Sequence, residues 1–83
     1  MNWPSQLAAL HALDRSGAFS QLAWALASLP PEAPPEHQAQ LAYWRGKCAL
    51  LEGRPAAAVQ ALCRCLRLQP ERAHAAYLLG VAL

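Results

Sequence analysis

The chain has 83 residues and a formal net charge of +2 with no run of basic residues, which limits it to one small domain and argues against a nucleic-acid partner. Ala and Leu supply 34 of these residues, whereas Val59 and Val81 are the only β-branched side chains. Since Ala and Leu favour helices and β-branched residues favour strands, this composition predicts an all-α fold and excludes a sheet-based domain.

Proline and glycine divide the chain into five predicted helices, which we expect at about residues 4–16, 18–29, 36–51, 55–69 and 71–83. Pro4 and Pro55 suit first helical turns, while Gly17 and Gly53 suit the turns that follow the first and third helices. Residues 30–35 hold four prolines and should form a stiff, extended connector. The predicted layout is therefore two helical hairpins followed by one further helix.

Two segments of the chain repeat at a fixed distance. Residues 42–46 read AYWRG and residues 76–80 read AYLLG, so Ala, Tyr and Gly recur after 34 residues. A 34-residue period in a helix–turn–helix pattern is characteristic of one repeat family.

From Ala39 to Arg72 the chain resembles a full tetratricopeptide repeat. The residues that carry the resemblance are small or turn-forming ones and one large aliphatic, at Gly46, Gly53, Ala58, Leu62, Cys65 and Pro70. Residues 73–83 look like most of the first helix of a further repeat, and residues 4–29 look like a degenerate hairpin. The resemblance implies antiparallel helical hairpins stacked as a short right-handed solenoid, with Gly46 allowing close approach of the neighbouring helix.

One face of the third helix is a candidate for holding a partner. Tyr43, Lys47 and Leu50 share that face at i, i+4 and i+7, and Gln40 extends it by one turn. The resemblance places this face, with His74 and Tyr77 of the fifth helix, in a concave groove that holds peptides. The alternative is that the aromatic residues pack within the fold and Lys47 is merely solvated. The only asparagine is Asn2, so the carboxylate clamp of some family members is not expected.

The last helix offers a second candidate surface. Its apolar residues Leu78, Val81 and Leu83 have no polar capping helix after them, although repeat arrays normally end in one. We expect either that the chain is the N-terminal part of a larger protein or that a homodimer covers this edge.

Metal binding and catalysis are not expected. Cys63 and Cys65 are two residues apart on a helix, so their side chains diverge by about 200° and cannot share a tetrahedral ion. The three histidines share no metal-ligand spacing, and no phosphate-binding loop is present, so we expect no cofactor. An odd cysteine count, no signal peptide and no apolar run long enough to cross a bilayer favour a cytoplasmic protein. The Ala and Arg bias is typical of a GC-rich bacterial genome.

These observations favour a non-catalytic scaffold that binds a peptide or partner protein. Two alternatives remain at this point. One is an accessory repeat region of an enzyme, such as a transferase, whose catalytic domain lies beyond this chain. The other is a small secretion-type chaperone that shields an apolar segment of an exported protein.

Overall fold

The computed structural model describes residues 2–30 and 32–83, which form five α-helices and no strand. The helices are α1 (Trp3–Arg15), α2 (Phe19–Ala27), α3 (Pro35–Leu51), α4 (Pro55–Leu68) and α5 (Ala73–Ala82). The predicted all-α fold with five helices is thus confirmed, although α2 and α5 are shorter than expected. Of the predicted connector, Pro31 lies outside the described residues.

The helix ends follow from local chemistry. Gly17 and Gly53 have φ values of +75° and +73°, a left-handed conformation that lets the chain turn sharply after α1 and α3. The Asn2 side chain accepts a hydrogen bond from the Ser5 amide at 3.2 Å and so caps α1. Pro35 belongs to the first turn of α3 rather than to the connector, because a proline there removes no intrahelical hydrogen bond.

Helix α3 is the centre of the molecule. Each helix packs against the next one in the chain, and α3 also contacts α5. One face of α3 joins α1 and α2 in a first buried cluster, made of Leu10, Leu22, Leu26, Leu41, Trp44 and Cys48. Another face joins α4 and α5 in a second cluster, made of Ala42, Ala49, Ala58, Leu62, Cys65 and Ala75. The two hairpins are therefore held together through α3.

Small residues allow α3 and α4 to approach closely at the second cluster. Gly46 of α3 faces Leu62 of α4, and its lack of a side chain lets the two helices approach, as predicted. Ala58 and Cys65 are fully buried beside Leu62, which confirms that Cys65 is a packing residue. No helix within the described residues is both long enough and apolar enough to cross a membrane.

Candidate partner-binding surfaces

The concave-groove candidates of α3 and α5 meet in space. The rings of Tyr43 and His74 lie 5.8 Å apart at 65°, and those of His74 and Tyr77 lie 5.9 Å apart at 34°. We call these three side chains the aromatic row. It becomes more exposed along its length, from a half-buried Tyr43 to a Tyr77 that is 65% exposed. Tyr43 therefore packs partly within the fold, whereas Tyr77 is exposed to solvent.

Arg72 supports the buried end of the aromatic row, and sequence analysis did not single it out. Its Nη2 donates to Gln40 Oε1 at 2.6 Å, and its Nε donates to Gln69 Oε1. Its guanidinium carbon lies 5.6 Å from the centre of the Tyr43 ring, within cation–π range. Gln40 is therefore engaged within the fold, and Arg72 holds α3 against the start of α5.

Lys47 lies on the same face of α3, but its charge is already paired. Its Nζ donates to Asp14 Oδ1 of α1 at 2.8 Å and lies 5.1 Å from the centre of the Phe19 ring. Partial burial lowers the pKa of Lys47, but the hydrogen bond to Asp14 and the neighbouring Tyr43 and Asp14 charges outweigh it and raise the pKa overall. A ligand carboxylate would have to compete with Asp14 for this ammonium group.

Two other candidate groove residues, Tyr43 and Leu50, are partly buried against the core. Burial raises the pKa of the Tyr43 phenol, although the positive charge of Lys47 acts in the opposite direction. Leu50 is half-buried and packs against the second buried cluster. The part of the candidate groove that faces solvent is therefore His74 and Tyr77.

Two of the three apolar residues predicted to be exposed at the end of α5 are exposed in the structure. Val81 and Leu83 are 58% and 83% exposed, but Leu78 is half-buried because it packs against the second cluster. Gly80 stands 34 residues after Gly46, and a Cβ placed on it would meet nothing within 4 Å. At Gly46 the space left by the missing side chain is filled by Leu62. The equivalent space at Gly80, which we call the Gly80 notch, is open.

The polar residues near α1 are used for packing. The His11 ring stands edge-on to Trp44 with centroids 4.7 Å apart, and Asp14 also accepts a long hydrogen bond of 3.4 Å from the Trp44 indole. Within residues 2–30 and 32–83, no three His, Cys, Asp or Glu side chains are grouped closely enough to hold a metal ion.

Comparison of the chain with protein-family models, with curated proteins and with solved structures found no match.

Proposed function

We propose that this chain is a non-catalytic, cytoplasmic interaction module with tetratricopeptide-like stacking, which holds a peptide against the aromatic row. The observation that carries the proposal is the exposure of Tyr77 beside His74, on a face continuous with Tyr43 of α3. Large, rigid side chains of this kind supply binding area at a low cost in conformational entropy.

The contacts of Arg72 with the aromatic row and its neighbours favour a fixed binding surface over a mobile one. Arg72 links Gln40 and Gln69 and covers one side of Tyr43, which restrains the buried end of the row. Restraint before binding reduces the entropy lost when a ligand is held. Because Lys47 is paired with Asp14, we expect apolar or aromatic peptide anchors to matter more than a carboxylate.

Selection from a displayed library of random peptides tests the proposal. A selected peptide is titrated into the wild-type chain and into Tyr77→Ala by calorimetry. Since Tyr77 would be the most exposed anchor of the row, we expect its removal to weaken binding at least about tenfold.

The control is Leu51→Ala, which removes an exposed large apolar side chain at the end of α3 that is not part of the row. It should leave the affinity of the selected peptide unchanged. The proposal would be contradicted if the peptide lost the same affinity in both variants, or if it lost affinity in neither of them.

A second candidate is an interface at the α5 edge. The open Gly80 notch, with the exposed Val81 and Leu83, suits an apolar helix that inserts a Leu as Leu62 does at Gly46. We propose a second copy of the chain as its occupant. Light scattering should then show a concentration-dependent dimer that Val81→Glu abolishes. A wild-type chain that stays monomeric throughout would remove this candidate.

A further inference from the structure

A groove of about 990 Å³ runs between α2 and α4, over α3. No Cα atom of α2 lies within 8 Å of one in α4, so the two helices stand apart with α3 as the floor between them. Arg45, in the middle of the floor between Ala42 and Ala49, is two residues from both Tyr43 and Lys47 and so lies about 160° around α3 from each. The groove is therefore on a different side of α3 from the aromatic row.

Basic residues are concentrated in this groove. Four of the seven basic residues of the chain line it, namely Arg45, Arg54, Arg64 and Arg67, but only one of the five acidic residues, Glu52, does. Glu52 accepts a hydrogen bond from Arg54 at 2.5 Å, which leaves the other three arginines without a carboxylate partner in the described residues. Partial burial and the nearby Arg64 charge lower the pKa of Arg45, as expected where like charges stand close together.

The groove has two chemically different walls. Arg64 and Arg67 lie one helical turn apart on α4 and form a basic wall. The α2 wall carries no charged residue, and its largest side chain is Trp24, which is 78% exposed. Between them the floor includes the small residues Ala42 and Ala49. We call this the arginine groove.

We propose that the arginine groove binds an acidic amphipathic helix of a partner protein. A helix lying over the floor would place an apolar stripe against Trp24 and Ala27 of the α2 wall. Carboxylates spaced three or four residues apart would then meet Arg64 and Arg67 on α4. Arginine suits this role because its planar guanidinium binds carboxylates in a bidentate manner.

Two other occupants fit less well. A nucleic-acid strand would bring phosphates along its whole length, yet the α2 wall offers no cation to them. A second copy of this chain would have to supply an acidic helix, but each of α1 and α3 holds one carboxylate and α2, α4 and α5 hold none. A partner with an acidic helix of its own is therefore the occupant that matches both walls.

The test uses two synthetic helical peptides as long as α4, one with leucines along one face and glutamates beside them, and a twin in which lysines replace the glutamates. Binding is followed by the NMR signal of the Trp24 indole N–H, which Trp24→Phe identifies. We expect the acidic peptide to shift this signal saturably and the lysine twin to leave it unchanged. A missing shift with the acidic peptide would overturn the proposal.

Charge reversal locates the site. Arg64→Glu combined with Arg67→Glu should weaken binding of the acidic peptide by about tenfold or more, because two attractive contacts become repulsive. Arg64→Glu alone should also weaken it more than Arg15→Glu, which makes the same change of charge at an exposed residue outside the groove. An equal loss in both would indicate a general charge effect and contradict a specific site.

Three further measurements complete the test. Measured by calorimetry, Trp24→Ala should weaken binding of the acidic peptide even if the double charge reversal fails to fold, whereas Tyr77→Ala should not, which separates this proposal from the aromatic row. A single-stranded oligonucleotide that displaced the acidic peptide at lower concentration would assign the groove to nucleic acid instead. Self-association of the chain that the double charge reversal abolished would assign it to a second copy.

Discussion

Gly46 and Leu62 set the distance between α3 and α4. A Cβ atom on Gly46 would stand 2.6 Å from Leu62 Cγ and 2.8 Å from its Cδ2, closer than carbon atoms approach in proteins. Leu62 is fully buried in the second cluster, so its side chain can move aside only by shifting against its packed neighbours. Any residue larger than glycine at position 46 must therefore push the two helices apart or distort the second buried cluster.

We expect Gly46→Ala to lower the free energy of unfolding by about 1–2 kcal/mol, because the cost of overpacking exceeds the gain in helix propensity. Gly80→Ala is the matched control, since it makes the same change on α5 where the space is open. That substitution should be neutral or stabilising by up to about 1 kcal/mol. Urea unfolding of both variants measures the difference, and equal effects would show that the Gly46 contact is not restrictive.

The ion pair between Asp14 and Lys47 joins the first hairpin to α3. Asp14→Asn keeps the shape of the side chain but removes its charge, and we expect it to lower the free energy of unfolding by about 1 kcal/mol. Glu52→Gln is the control, because the Arg54–Glu52 pair is largely exposed and should contribute no more than about 0.5 kcal/mol. Chemical unfolding of the two variants would contradict this ranking if Glu52→Gln cost more.

The same pair predicts a loss of stability at alkaline pH. The pKa of Lys47 is raised in the folded chain above its ordinary value of 10.5, so its contribution is complete below that pH and is lost as pH rises through the folded pKa. Burial also raises the pKa of Tyr43, and of the Cys48 and Cys65 thiols, so these groups act in the same direction. Unfolding measured between about pH 9 and pH 12 should therefore show falling stability, with the thiols acting first and Lys47 from about pH 10.5 upward.

Asp14→Asn separates the Lys47 contribution from the others. The hydrogen bond to Asp14 is the main cause that raises the pKa of Lys47, and Asp14→Asn removes the carboxylate. The free energy of unfolding should therefore fall less at alkaline pH in Asp14→Asn than in the wild-type chain. The thiol and Tyr43 contributions remain in both. An identical fall in the two proteins would mean that the pair does not couple folding to the protonation of Lys47.

The helices were predictable because their boundaries depend on local chemistry. A proline in a first turn and a glycine with positive φ act on neighbouring residues alone, so Pro55, Gly17 and Gly53 marked their helices directly. The 34-residue period likewise pointed to Gly46, since a small residue at a fixed repeat position indicates a helix contact.

The side-chain contacts between helices could not be predicted from the sequence in the same way. Asp14 and Lys47 are 33 residues apart, and no spacing rule connects them. The arginine groove draws Arg45 from α3 and Arg64 from α4, which meet only because of how those helices cross. A charge count along the chain therefore missed a concentration of positive charge that the packing creates.

The three cysteines should differ sharply in reactivity. Cys48 and Cys65 are buried, and burial raises the pKa of both thiols, so neither presents a thiolate to solvent. Cys63 is half-buried on α4, at a shallow depression that also includes Leu79 of α5. We expect a disulfide reagent such as Ellman's reagent to modify one thiol quickly in the folded chain and the other two only after unfolding.

Cys63→Ser should remove the fast reaction and leave the slow one, whereas Cys65→Ser should keep the fast reaction. The rate at Cys63 also reports on the α5 edge, because a second copy seated there would cover the depression that Cys63 shares with Leu79. The fast reaction should then slow as the protein concentration rises, and Val81→Glu should restore it. A rate that does not change with concentration would show that Cys63 stays uncovered and would count against a dimer at this edge.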